Sequence, residues 1–425
     1  MKFIEELRWR GMIHDMTPGT EEHLNAKNCS GYSGFDPTAP SLHIGNLMPI
    51  MLLMHFQRSG HSPIALVGGA TGMIGDPSGK SDERKLLSTD VIEANLRGIR
   101  KQLEKFLDFS GRNAAQIVNN YDWFKEMRFL DFLREVGKHL TVNYMVAKES
   151  VRNRWDNGIS FTEFSYQLLQ GYDFYWLYAN KNCELQIGGS DQWGNITSGV
   201  ELVRRKTGGE AFALTCPLLT RADGSKFGKT AGGESVWLDA EKTSPYKFYQ
   251  YWLNVADADA PKMLRNFTLL PREQIESLEQ EQAEAPHLRA MQRALAEDVT
   301  VRVHSRDDYD RAVEASDILF GKGTTETLHR LSEKDFLAVF EGVPQAEVPR
   351  TEVENSITVV DLVSEKTSMF PSKGEARRMI VQGGLSINKE KCGDPMEKID
   401  TGRLLQNRYL LLQKGKKGYF IVKTI

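Results

Sequence analysis

Gly31-Tyr32-Ser33-Gly34-Phe35-Asp36-Pro37-Thr38, continued by Ser41-Leu42-His43-Ile44-Gly45-Asn46, is the stretch on which the reading of this chain turns. It reads as the end of a buried strand, a tight Gly/Pro turn and the first turn of a helix. The helix continues with Leu47, Ile50, Met51 and Met54, close to the i, i+3, i+4, i+7 spacing of one buried face. A strand feeding a helix through glycines presents free backbone N–H groups and the positive end of a helix dipole, a good seat for phosphate. His43, Thr38 and Asp36 add donors and an acceptor to that turn. Taken alone, the stretch fits an ordinary structural βα connection as well as a phosphate site.

The pattern recurs downstream. Pro63-Ile64-Ala65-Leu66-Val67 is a short apolar run that ends in Gly68-Gly69 and a glycine-rich loop through Asp76, Lys80 and Arg84. Helical spacing covers about 88–108, and Gln116-Ile117-Val118 reads as a further strand. Glu184-Leu185-Gln186-Ile187 then delivers Gly188-Gly189-Ser190-Asp191-Gln192 to the same edge. Strand, glycine loop, helix, repeated, predicts an α/β fold with an open parallel sheet and ligands at the carboxyl ends of its strands. Between these strands, 124–181 reads as largely helical, with Phe161, Phe164, Leu168 and Leu169 as a buried face. Tyr166, Gln170 and Asp173 share a second face, which fits either a binding surface or a solvated stripe. The loop 220–230 has no hydrophobic period and carries Lys226 and Lys229, suited to closing over an anion.

With 425 residues there is room for two or three domains. Hydrophobic content of 40% and charged content of 26% are those of a globular protein, and a net charge of −3 makes any nucleic-acid surface local. Four dispersed cysteines without a CxxC pair suit a reducing compartment and speak against a zinc site. No signal peptide and no membrane span is expected, which places the chain in the cytoplasm. Residues 245–340 read mostly as helices, with Leu288, Met291, Leu295 and Val299 on one face, and 342–355, with Pro344 and Pro349, reads as a linker. The end of the chain holds two short helices, a strand at Leu385-Ser386-Ile387-Asn388 and a hairpin about 414–418. From 401 to 425 there are six Lys or Arg and no Asp or Glu, the footprint expected for phosphate-backbone contact.

At this point the residues resemble a known family. Pro37-Thr38 through His43-Ile44-Gly45-Asn46 is similar to the His-Ile-Gly-His signature of class I aminoacyl-tRNA synthetases, and Lys226-Phe227-Gly228-Lys229-Thr230 to their Lys-Met-Ser-Lys-Ser loop. With the segments 67–77, 161–170 and 186–195, the resemblance is to bacterial-type tyrosyl-tRNA synthetases, and the last ~70 residues resemble their S4-like RNA-binding domain. The implied fold is a Rossmann-like catalytic domain over 1–220 with a helical insertion at about 124–181. A lysine loop and α-helical domain over 221–341, the linker 342–355 and a small α+β domain over 356–425 follow.

The resemblance also implies roles. Tyr32 and Asp173 would contact a phenolic hydroxyl, and Asp76, Tyr166 and Gln170 an ammonium group, with Gln192 beside the tyrosine carboxylate. Ser33, Gly34, Asp36, Thr38, His43, Asn46, Gly189 and Asp191 would line ATP. Lys226 and Lys229, joined by Lys80 and Arg84, would reach its phosphates. Arg377, Arg378, Arg408, Lys414, Lys416 and Lys417 are the expected RNA contacts. ATP with Mg2+ is expected as substrate, with no tightly bound cofactor and no dedicated metal cage. L-tyrosine and tRNA(Tyr) are the expected partners of a homodimer, whose interface would include 129–144. Two departures, Asn46 for the last signature histidine and Ser33 where cysteine is frequent, remove no group the chemistry requires. Tryptophan activation on the same fold, an RNA-binding protein without catalysis, and another adenylyltransferase are the competing readings.

Overall fold

The computed structural model describes residues 2–78, 87–155, 158–220, 227–228, 233–319, 324–415 and 418–425. They form two compact units, Met1–Lys242 with Leu253–Val303, and Thr243–Trp252 with His304–Ile425.

In the first unit β1 (Asp15–Met16), β2 (Ser30–Phe35), β3 (Ser62–Val67), β4 (Gln116–Asn119), β5 (Cys183–Gly189) and β6 (Phe212–Cys216) make one sheet, in the order β1-β6-β5-β2-β3-β4. β2 to β6 run parallel and β1 is antiparallel at one edge. From β2 the chain builds outward through β3 and β4 on one side, then through β5 and β6 on the other. The winding therefore reverses between β2 and β5, where an open sheet leaves a crevice beyond its carboxyl ends. The continuous apolar run of β3 is buried almost throughout, as a parallel strand covered on both faces requires.

The helix Phe161–Lys181 crosses the helix Trp193–Thr207 where both lack a side chain. A Cβ on Gly199 would stand 2.9 Å from the Phe174 ring, and one on Gly171 3.6 Å from the Gly199 nitrogen. This approach presses Phe174 and Leu177 against Tyr32, Ile64 and Leu66 in the core. Leu168 is buried as expected, but Phe161 is 66% exposed. It is the first residue of its helix, nearly three turns before the crossing, so nothing in the packed pair reaches it. The face carrying Tyr166 and Asp173 is the buried one, not a solvated stripe.

The helices Ala260–Phe267, Arg272–Glu284 and Ala290–Val303 belong to this same unit. Buried Arg10 donates to the carbonyls of Arg265 (2.6 Å), Thr268 (2.9 Å) and Leu270 (2.8 Å), and Arg302 donates to that of Phe267 (2.8 Å). Two guanidiniums thus satisfy carbonyls that a helix end leaves open. The expected single helical domain over 221–341 is divided accordingly, its residues 243–252 and 304–341 falling in the second unit. Met291, Leu295 and Val299 share the buried face as expected, whereas Leu288 is 47% exposed because Arg289, at φ 54°, breaks the chain away before the helix begins.

The second unit is built on β7 (Gln345–Val348), β8 (Ile357–Thr358), β9 (Leu385–Ile387), β10 (Glu390–Cys392), β11 (Lys398–Ile399), β12 (Tyr409–Lys414) and β13 (Gly418–Thr424). Five of them form a sheet in the order β10-β9-β12-β13-β7, and β8 pairs with β11. The expected linker at 342–355 is folded. β7 pairs in parallel with β13, Val348 and Val353 are fully buried, and Arg350–Glu354 is helical. Its prolines flank these elements and do not interrupt them. No helix among the described residues is long and apolar enough to cross a membrane.

Candidate active site

The turn after β2 is held from three directions. The His43 N–H donates to Asn46 Oδ1 at 3.0 Å, and His43 Nδ1 accepts from the Gly45 N–H at 3.0 Å, a reciprocal cap on the helix start. With Nδ1 accepting, a neutral ring carries its proton on Nε2, which is then a donor. A Cβ at Gly45 would press to 2.8 Å from that ring. From the helix Thr89–Leu103, Asn95 donates to the Pro37 carbonyl at 2.9 Å, and the Gln102 amide oxygen accepts from the Leu42 N–H at 2.8 Å. On the far side, the Ile44 N–H reaches the Val236 carbonyl (2.9 Å) and the Leu238 N–H the Leu42 carbonyl (2.9 Å). Gly228 also lies there, a Cβ on it being 3.9 Å from the Gly45 nitrogen. The described part of the lysine loop, Phe227-Gly228, therefore adjoins the histidine turn. Lys226, Lys229, Lys80 and Arg84 lie outside the described residues.

Behind the turn, β2, β3 and the helix Phe161–Lys181 enclose a polar cluster. Asp36 accepts from the Tyr166 hydroxyl and from the Thr71 hydroxyl, both at 2.7 Å. Gly68 permits this, since a Cβ there would collide with the Asp36 carboxylate and the Thr71 hydroxyl. Asn120 donates to Thr71 Oγ1 (3.0 Å) and to Asp173 Oδ2 (3.1 Å), while Trp123 Nε1 donates to Asp173 Oδ1 (2.9 Å). Burial pushes the Asp173 carboxyl up to about 8, with those two donors pulling back. Tyr32 is 1% exposed, and its hydroxyl has no hydrogen-bond partner among the described residues. Burial, then nearby Asp173, raises its pKa well above the usual phenol value. The Tyr166 phenol is raised likewise, by burial and then by Asp36 and Asp76.

A second cluster lies beyond β5. Gln192 Nε2 donates to Asp76 Oδ2 at 2.7 Å, and the Ser78 N–H to Asp76 Oδ1 at 2.9 Å. Buried Asn195 donates to Asp76 Oδ1 (3.4 Å), Ser78 Oγ (3.2 Å) and Gln192 Oε1 (3.3 Å). The Gln170 amide oxygen is buried without a partner among the described residues. Ser33 is buried on β2, whereas Gly34, Thr38 and Asp191 face solvent at the mouth, with Gly189 partly covered. Sequence reasoning passed over Asn95, Gln102, Asn120, Trp123 and Asn195, which hold the site residues rather than line an opening. Only spatial proximity marks them.

The two clusters adjoin at the strand ends through Tyr166, which bonds Asp36 and lies near Asp76, and they set orphaned phenol and amide oxygens beside carboxylates and a histidine turn. Residues 24–321 match the family described as tRNA synthetases class I (W and Y). The chain belongs to that family. It is an aminoacyl-tRNA synthetase, with ATP as a substrate. Residues 335–422 match the tyrosine–tRNA ligase SYY-like C-terminal domain. The chain is 60% identical over 428 residues to the tyrosine–tRNA ligase of Porphyromonas gingivalis, and 61% over 424 residues to that of Cytophaga hutchinsonii, covering 99% of each chain in both cases. Of solved structures, a C-terminally truncated Aspergillus nidulans mitochondrial tyrosyl-tRNA synthetase is similar with a TM-score of 0.68 and 30% identity, over 75% of this chain and 94% of that one. The Archaeoglobus fulgidus tyrosyl-tRNA synthetase complexed with L-tyrosine shares the fold, with a TM-score of 0.53 and 17% identity over 73% of this chain and 99% of its own.

The expected RNA contacts of this synthetase divide. Arg377 and Arg378 are exposed on the helix Lys373–Val381. Arg408 pairs with Glu333 at 3.3 Å, and Lys414 with Glu375 at 3.7 Å. Such exposed pairs are weak and yield to a phosphate. Lys416 and Lys417 lie outside the described residues.

Proposed function

We propose that the chain is a tyrosine–tRNA ligase, working in the cytoplasm as a homodimer. It joins L-tyrosine to ATP as tyrosyl-adenylate with release of pyrophosphate, then passes the tyrosyl group to the 3′-terminal ribose of tRNA(Tyr). The observation that carries this reading is the buried Tyr32 hydroxyl, without a partner among the described residues, in the electrostatic reach of buried Asp173. A phenolic substrate supplies the Tyr32 hydroxyl with a partner and gives Asp173 a donor beyond Asn120 and Trp123, whereas phenylalanine leaves the Tyr32 hydroxyl without one. A pocket built to bond a hydroxyl rejects the analogue that lacks it far more strongly than an apolar pocket rejects a missing methylene, tyrosyl-tRNA synthetases being the familiar example.

Asp76, the Tyr166 oxygen and the Gln170 oxygen are three acceptors for one ammonium group. Gln192, whose amide nitrogen already holds Asp76, keeps that carboxylate in place beside the tyrosine carboxylate. The tyrosine carboxylate attacks the α-phosphate, so no side chain is required as nucleophile or general base. Catalysis is then positioning and stabilisation of charge on the transferring phosphate. Thr38 and the Nε2–H of His43 serve there, with Lys226, Lys229, Lys80 and Arg84 on the leaving pyrophosphate. Asp36, Ser33, Gly34, Asn46, Gly189 and Asp191 line the nucleotide. Magnesium enters with ATP, on its β- and γ-phosphates. Arg377, Arg378, Arg408, Lys414, Lys416 and Lys417 contact the tRNA backbone. Phe129 and Leu130, 64% and 74% exposed, belong to the dimer face.

Pyrophosphate exchange into ATP, run in parallel with tyrosine, phenylalanine and tryptophan, tests the reading. Exchange with tyrosine alone is expected, and its near loss in Lys229→Ala. Exchange driven by tryptophan, or by none of the three, overturns it.

A further inference from the structure

We propose that His23, Cys29 and Glu184 form a binding site for one zinc-like divalent transition-metal ion, away from the reacting centre. The three come from the helix Thr20–Ala26, the residue before β2 and the second residue of β5. One ligand atom from each lies within 4.8 Å of the other two, and His23 Nε2 is 2.9 Å from Glu184 Oε2. Imidazole nitrogen, thiolate and carboxylate are the donors zinc takes, at bonds of about 2.0–2.3 Å, so tetrahedral ligands stand about 3.3–3.7 Å apart. Small side-chain rotations bring this group to that spacing.

His61 borders the trio: its Nδ1 is 4.0 Å from Cys29 Sγ and accepts from the Cys29 N–H at 3.3 Å, which fixes the Cys29 backbone. Both rings are held by aromatic neighbours, His23 against Phe212 at 4.3 Å and His61 stacked on Phe56 at 4.5 Å. Lys27 takes the other carboxylate oxygen, Glu184 Oε1, at 2.8 Å and leaves Oε2 turned toward His23. A carboxylate oriented from behind in this way is the outer-shell arrangement of metal sites. An ion-paired trio of His23, Lys27 and Glu184 accounts for the carboxylate, but not for the thiol, whose sulfur lies within 4.8 Å of a ligand atom of each of His23 and Glu184.

Burial holds the free Cys29 thiol up at about 12, so it is neutral until a metal arrives. Binding forms the sulfur–metal bond, releases the thiol proton to solvent and changes no oxidation state. Cys29, His61 and Glu184 lie at the amino ends of β2, β3 and β5, opposite the crevice, so the ion fastens the helix Thr20–Ala26 to the sheet and leaves adenylate formation alone.

The test uses the full chain, stripped of metal and titrated with Co(II) and then Zn(II). One equivalent of Co(II) is expected, with a thiolate-to-cobalt charge-transfer band in the near ultraviolet that Zn(II) removes. Zn(II) is expected to raise Tm by several degrees. Cys29→Ser should abolish the band, Cys392→Ser should keep it, and His23→Gln, at a partly exposed position, should weaken Co(II) binding at least tenfold. Tyrosine-dependent exchange should stay within twofold throughout. Absence of the band in the unaltered chain, its survival in Cys29→Ser, or unchanged affinity in His23→Gln overturns the proposal, whatever the exchange assay returns.

Discussion

Replacing Asp173 by Asn isolates the charge at the back of the crevice, because the amide has nearly the shape of a protonated carboxyl group. The carboxyl is lifted to about 8 in the folded protein. In the unfolded chain it titrates near 3.9, a gap of about four pH units at about 1.4 kcal/mol each. Between those values the folded state keeps a proton the unfolded state has lost, so stability falls as pH rises from about 4 to about 8. Below that window both side chains are neutral, and the variant should be less stable by about 1 kcal/mol, because its amide nitrogen cannot accept one of the two hydrogen bonds that Asn120 and Trp123 donate. Across it the variant gains on its parent by a ceiling of about 6 kcal/mol, and relaxation around the charge reduces this to about 2–3 kcal/mol. Urea unfolding of both proteins from pH 5 to 8.5 measures it, and the difference between them cancels every other titrating group. A difference that stays flat across this range would refute the reasoning, since Asp173 would then be as ionised folded as unfolded.

The same variant separates stability from selection. Assayed above pH 8, where the carboxyl is ionised, losing a charged acceptor for the phenol costs about 1.5–3 kcal/mol, roughly ten- to hundredfold in kcat/KM for tyrosine, with the value for phenylalanine nearly unchanged. A variant that gains stability on its parent as pH rises yet is worse with its own substrate is the expected signature of a functional buried carboxylate.

Three further changes probe the scaffold. Gly68→Ala places a methyl on the Asp36–Thr71 hydrogen bond and should lower stability by about 1–3 kcal/mol while raising KM for tyrosine more than it lowers kcat, read by thermal unfolding and exchange kinetics. Asn46→Ala removes the oxygen that caps the His43 N–H and should cost about 1 kcal/mol, with exchange falling through kcat because the histidine turn loosens. Arg377→Ala with Arg378→Ala should leave exchange untouched and weaken tRNA charging, with a shallower dependence on salt in a filter-binding assay.

The frame of the fold was legible because its signals are local. A continuous apolar run such as 63–67 can be little else than a covered strand, and a Gly/Pro turn before a spaced apolar helix fixes where the site faces. Tyr32, Asp76, Tyr166, Gln170 and Asp173 could be named only through family resemblance, since a helix face bearing Tyr, Gln and Asp reads equally as solvated. What tips it inward is Gly171 crossing Gly199, a pairing of residues 28 apart that no periodicity discloses. The same holds for the domain limits. Residues 253–303 join the catalytic unit through Arg10, some 255 residues upstream of the carbonyls it binds. The stretch 342–355 looked like a linker because Pro344 and Pro349 mask a four-residue strand whose partner, β13, lies at the end of the chain.

His23, Cys29 and Glu184 are the extreme case of such long-range pairing. Scattered single cysteines speak against zinc when the only evidence is spacing along the chain, since a metal site built within one loop needs its ligands close in sequence. A parallel sheet removes that need. It sets the residue before β2 beside the second residue of β5, more than 150 positions later, and brings a histidine from the preceding helix over both. Spacing rules therefore exclude only sites made by a continuous segment. For sites assembled across a sheet, register between strands replaces spacing along the chain, and register is what a single sequence conceals.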